Sequence, residues 1–257
     1  MNLFHRAKPA GRYGWRPQLP DVRDHSLTVV HEDPLPSKVD LRPQCPPVVD
    51  QGQLGSCTAN AIAGALGFDQ IAQGLPVVPL SRLFIYYGER VMEHTVRQDA
   101  GAMIRDGIKV VAKSGAPAES TWPYDISRFT RRPSARAYLE AKAHRAVEYA
   151  SPAQTFDAMR GTLASGRPIV IGFTVYESFE SASVAATGLV PMPGWREQVL
   201  GGHAVLIVGY DDMAGRWIVR NSWGTGWGDG GYFHMPYAYF TDAGLSSDLW
   251  VVRTIST

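Results

Sequence analysis

Four residues in this chain have types and spacings that could break an amide bond: Cys57, His203, Asn221 and Gln51. A cysteine attacks as its thiolate, and a thiol near neutral pH is mostly protonated, so its surroundings must lower its pKa. Cys57 opens the run CTANAIAGALGFDQIAQ, where Ala61, Ile62, Ala65, Leu66 and Asp69 follow three-to-four spacing and Gly74 marks an end. This predicts a helix beginning at Cys57. A helix N-terminus supplies unpaired N–H groups and the positive end of the macrodipole, both of which favour a thiolate. Taken alone, a small buried cysteine is the ordinary alternative.

His203 heads the strand-like run HAVLIVGY, and Asn221 lies at the end of the following run, RWIVRN. The stretch Asp211 to Gly215 between them reads as a hairpin turn, so antiparallel pairing should set His203 nearly opposite Asn221. An Asn amide facing an imidazole can fix its tautomer and tilt, the task of the third member of a catalytic triad. Gln51 precedes Cys57 across the Gly-containing turn QGQLGS. Its side-chain amide, with the Cys57 N–H, could form an oxyanion hole.

These residues need elements to hold them. Residues 1–34 contain Pro9, Pro17, Pro20 and Pro34 with little periodicity, and read as an extended arm without a core of its own. Tyr13, Trp15, Leu19 and Val22 give the arm reason to lie on an apolar surface, and the open cleft is the nearest one. After the first helix, Ser81 caps a second over LFIYYGERVME, and a third runs from about Ala102 to Lys113 and stops at Gly115. Beyond a short helix near Gln154 to Ala164, the runs PIVIGFTV, HAVLIVGYD, RWIVRNSW, GYFHM and LWVVRTI are short, β-branched and aromatic. The expected class is α+β: an arm at 1–34, a helical lobe at about 35–145 and a β lobe at about 146–257.

Together the motifs carry a resemblance. DQGQLGSCTANA, GGHAVLIVGYD and WIVRNSWGTGWGDGGYF resemble the glutamine–cysteine, histidine and asparagine segments of the papain-like (C1 family) cysteine peptidases. The GGHA start is most similar to the cathepsin B branch, and the short arm resembles that of small bacterial peptidases of the xylellain type. The resemblance implies a papain-like two-lobe fold, with an antiparallel β-barrel-like lobe facing the helical lobe across the active-site cleft. It implies an endopeptidase in which Cys57, His203, Asn221 and Gln51 are catalytic. Gly101, Ala102 and Met103 would line the helical wall of the cleft, and Gly172, Gly202 and Ala204 the opposite wall. The S2 pocket between them would then be apolar, with no charge at its base. Trp223 would cover the His–Asn contact, and Trp227 would pack nearby. The chain departs from the family pattern in three places. Leu54 stands where a disulfide-bonded Cys is usual, Thr58 where a Trp commonly follows the nucleophile, and no long helical propeptide precedes the domain.

Composition limits the alternatives. The 257 residues suit one large domain or two small ones, and folding should bury roughly 70–75% of the unfolded surface. A net charge of +1, with no basic block longer than Arg131-Arg132, gives nucleic acid no surface. The two cysteines, Cys45 and Cys57, exclude a disulfide framework and a thiolate zinc site. Cys45 reads as an inert thiol, with a regulatory Cys45–Cys57 bond as the sharper alternative. No metal, cofactor or membrane span is expected, and the G-x-G-x-x-G at Gly226, Gly228 and Gly231 precedes a strand, not a dinucleotide-binding helix. The expected partner is a peptide or protein substrate, and the location cytoplasmic, or secreted without a cleavable signal. A Cys-dependent amidase or transferase would use the same triad, and substrate profiling separates it. A non-catalytic module would leave a thiol-reactive epoxide unreacted. Carboxydipeptidase action would need paired histidines over the cleft, and only His94 stands in a suitable stretch.

Overall fold

The computed structural model of the chain describes residues 13–29 and 34–254, so the expected arm at 1–12 and 30–33 and the last three residues lie outside it. In chain order the described elements begin with β1 (Ser26–Leu27), β2 (Lys38–Asp40), α1 (Cys57–Ala72), α2 (Arg82–Met92), α3 (Ile104–Lys113) and α4 (Ala135–Ala141). They continue with β3 (Ala146–Pro152), α5 (Phe156–Ala164), β4 (Ile169–Tyr176), α6 (Ala182–Thr187), β5 (Val199–Asp211), β6 (Arg216–Arg220), β7 (Tyr232–Pro236), α7 (Tyr237–Thr241) and β8 (Ser246–Thr254). Side-chain caps start α2, α4, α5 and α6: Ser81, Ser134, Thr155 and Ser181 each accept from the backbone amide three residues on. The third helix starts at Ile104 rather than Ala102. Ala102 spends its backbone groups on the arm, donating to Gly14 O and accepting from Arg16 N, and so cannot be helical.

The strands form one sheet in the order β1-β3-β8-β4-β5-β6-β7, with β2 pairing β5. Among the pairings between these strands, only β1–β3 is parallel. The long strand β5 reads as a continuous apolar run because both of its faces are buried. Ala204, Leu206 and Val208 face a core built with α1, α2 and α3, while Val205 and Ile207 face a second core with Phe173, Trp217 and Phe233. Helix α1 lies in the first core with 13 of its 16 residues buried, and an all-round buried helix is a central one. The chain thus places the start of α1 against the head of β5.

Candidate active site

Cys57 is the first residue of α1 and is completely buried. The backbone amides of Ala204, Gly14 and Thr58 lie on its side of the site and pull the thiol pKa down. Burial is the largest influence and pushes the thiol up to about 12, which favours the neutral thiol while the arm is in place.

Asn221 Oδ1 accepts from His203 Nε2 at 2.8 Å and from the Ser222 amide at 2.8 Å. The first bond places the ring proton of a neutral imidazole on Nε2 and makes Nδ1 its acceptor. The strand register behind this contact differs from the expected one. Leu206 pairs with Arg220, which brings Asn221 level with Val205 rather than His203. The two side chains therefore meet diagonally on one face. The Asp211–Arg216 end of the hairpin alone would set Asn221 level with Leu206, and a bulge between Ile207 and Gly209 moves it one residue nearer His203. Trp223 lies over the imidazole, centroids 4.9 Å apart, and Trp227 packs on Trp223 at 5.0 Å.

Gln51 is fully buried and held at both ends of its amide: Nε2 donates to Leu54 O at 2.9 Å, and Oε1 accepts from Ser222 Oγ at 2.6 Å. Its backbone amide donates to Ser222 O, and Asp50 forms a bridge with Trp223. The loop before α1 is thus stitched to the loop that carries Asn221. Nothing in the sequence marked Ser222 as this fastener.

The arm runs through the cleft. Trp15 pairs in parallel with Ala102 and donates its amide to Gly202 O at 3.0 Å. Gly14 sits in a slot between Gly55 and Gly101, where an added Cβ on Gly14 would lie 1.8 Å from Gly55 O and one on Gly101 2.1 Å from Gly14 O. Tyr13 meets the edges of His203 and Trp223 and donates its hydroxyl to Glu180. The Trp15 indole fills a pocket against Gly172 and Gly202, which have no side chains to obstruct it. The Met103 amide donates to Glu93 Oε1, whose carboxylate also pairs with Arg16 of the arm.

This pocket corrects the expectation of an uncharged apolar base. Asp248 Oδ2 accepts from Trp15 Nε1 at 2.9 Å and from the Gln18 amide at 3.0 Å. A break in register between Val170/Trp250 and Gly172/Ser247 bulges β8 here, and Asp248 takes a positive φ of 64°. Burial raises the Asp248 carboxyl above its ordinary range against the pull of those donors. A bulge has no signature in the string SSDLW, so the residue could not be found by pattern.

Beneath the site, Thr58 Oγ1 donates to Glu89 Oε2 at 2.9 Å. Cys45 lies elsewhere, its thiol donating to Leu41 O at 3.6 Å beside Arg220 and Tyr232, and neither cysteine is in a disulfide. His94, at a positive φ of 58° just past α2, follows the Glu93 that pairs with Arg16.

A profile of the papain family of cysteine proteases matches residues 35–251. The chain belongs to that family. Its members are hydrolases, and the fold matches in detail. Xylellain, a cysteine protease from Xylella fastidiosa, is 42% identical and superposes with a TM-score of 0.89 over 99% of this chain and 100% of that one. An uncharacterized peptidase C1-like protein of Acanthamoeba polyphaga mimivirus is 46% identical over 228 residues, 85% of this chain and 73% of the relative. A cathepsin B-like protein of Giardia intestinalis is 32% identical over 225 residues, 81% of this chain and 71% of the relative.

Proposed function

We propose that this papain-family chain is a cysteine endopeptidase held latent by its own N-terminal arm. The observation that carries the reading is the convergence of the α1 N-terminus at Cys57, the Gln51 amide and the His203–Asn221 bond at one end of the cleft. With the arm away, His203 takes the Cys57 proton, and the imidazolium and helix end together stabilise the thiolate. The thiolate adds to the substrate carbonyl. The Gln51 amide and the Cys57 N–H stabilise the oxyanion. His203 then protonates the leaving amine, and in the second half-reaction it draws a proton from the water that hydrolyses the thioester. Asn221 keeps the ring oriented through both halves, and Trp223 shields that bond from water.

The Gly14 carbonyl accepts from the Ala102 amide at 2.7 Å and the Trp15 amide donates to Gly202 O at 3.0 Å, so the arm is fastened to both walls of the cleft. As a tethered ligand the arm acts at high effective concentration. The test is turnover of a peptide library by the wild type and by Cys57→Ser. The substituted protein should lose at least ~10⁴-fold in kcat/KM. Peptidase activity surviving in it would refute the reading.

A further inference from the structure

Glu89 on α2 is completely buried, and among the described residues no cation forms an ion pair with it, Arg90 acting on it only through space. The neighbouring Arg90 spends its guanidinium on the backbone carbonyls of Tyr86, Val96, Gln98 and Phe129. The other charged groups around Glu89 are Glu93 on α2 and Asp106 on α3, both acidic, and Cys57 faces it from α1. Gly107 of α3 makes room for the carboxyl, since an added Cβ there would come within 2.3 Å of Oε1. Oε1 has no hydrogen-bond partner among the described residues, while Oε2 accepts from Thr58. A carboxylate in such a place is very costly, and burial raises the Glu89 carboxyl well above its ordinary range, which favours the protonated form.

We propose that Glu89 is a positioning residue for the nucleophile: its carboxyl holds Thr58 by the hydroxyl, and Thr58 directly follows Cys57 in the first turn of α1. Fixing Thr58 thus fixes the backbone that carries the thiol. Where the family commonly packs a Trp after the nucleophile, this chain fastens the start of α1 with a buried hydrogen bond to α2. The raised carboxyl bears on the chemistry as well, since a carboxylate here would oppose the Cys57 thiolate and a protonated acid would not.

The proposal rests on Cys57 being the nucleophile, and the experiment separates the two. The full chain is prepared as wild type, Thr58→Val, Glu89→Leu, Glu89→Gln and the Thr58→Val/Glu89→Leu pair. Each is measured for kcat, KM, Tm and the pH profile of Cys57 alkylation by iodoacetamide. Thr58→Val and Glu89→Leu should each lower kcat about tenfold, leave KM within about twofold and move the alkylation midpoint to higher pH. The pair should be no worse than the more severe single change, as for two ends of one interaction. Glu89→Gln keeps the acceptor and should restore most of kcat. It should also raise Tm increasingly above about pH 4.3, because the folded state holds a proton on Glu89 that the unfolded chain loses there, and that stability falls as pH rises. A folded Thr58→Val protein with native kcat and alkylation profile would overturn the role of Glu89, even if Glu89→Leu failed to fold. Activity in Cys57→Ser would instead overturn the nucleophile on which the proposal stands.

Discussion

At the scale of single residues, chemistry that depends on residue type and order was legible. Cys57, His203, Asn221 and Gln51 stand out because a nucleophile at a helix start and an imidazole facing an amide have recognisable local settings. Residues that act through a bend of the backbone or through a distant contact were not legible. Asp248 reaches the cleft only because β8 bulges, and Glu89 reaches Thr58 only because α2 packs on α1. Two predictions belong here. Gln51→Ala should lose roughly 10²–10³-fold in kcat, the cost of one oxyanion donor, as measured by steady-state kinetics; an unchanged kcat would remove Gln51 from the mechanism. Asp248 should favour a substrate with Arg or Lys in the place of Trp15 over one with Leu. Because burial raises its carboxyl, this preference should be strongest at neutral and higher pH and fade as pH falls and the group is protonated. In Asp248→Asn the Arg/Leu ratio of kcat/KM should fall about tenfold or more and lose its pH dependence. A ratio unaffected by the substitution would mean that Asp248 serves the arm alone.

At the scale of elements, periodicity located the helices at Cys57, Arg82 and Ile104 and the strands from β4 onward. The residue-level register between β5 and β6 was beyond it, because the hairpin closes on Asp211 and Arg216 rather than about residue 212 and a bulge then shifts the pairing by one residue. The start of α3 was also misplaced, since the arm captures Ala102. Of the arm's apolar residues, Tyr13 and Trp15 lie in the cleft while Leu19 and Val22 are exposed to solvent, and nothing in the sequence showed that Gly14 would be its tightest point. In the Gly55–Gly101 slot the obstruction is backbone against backbone, which cannot swing aside. Gly14→Ala should therefore expel the arm and speed labelling of Cys57 by a thiol probe about tenfold or more. Trp15→Ala should do part of the same. Burying its ring is worth roughly 4 kcal/mol gross at ~25 cal/mol per Å² over 150–250 Å². Wild-type labelling rates in Gly14→Ala would show that the arm does not guard the thiol.

At the scale of the whole molecule, two cores on opposite faces of one sheet set the head of β5 against the start of α1, and the arm closes the cleft that results. The closed state inverts the expectation for an active-site thiol: the ion pair with His203 should depress the Cys57 pKa to about 4, yet burial raises it here. Reactivity must then appear on opening. The most direct test treats full-length wild type and Gly14→Ala with a thiol-reactive epoxide, following peptidase activity and the labelled site by mass spectrometry. The account predicts one label per chain, at Cys57, with activity lost in proportion to it and faster labelling in Gly14→Ala. Full labelling of Cys57 with peptidase activity intact would contradict it.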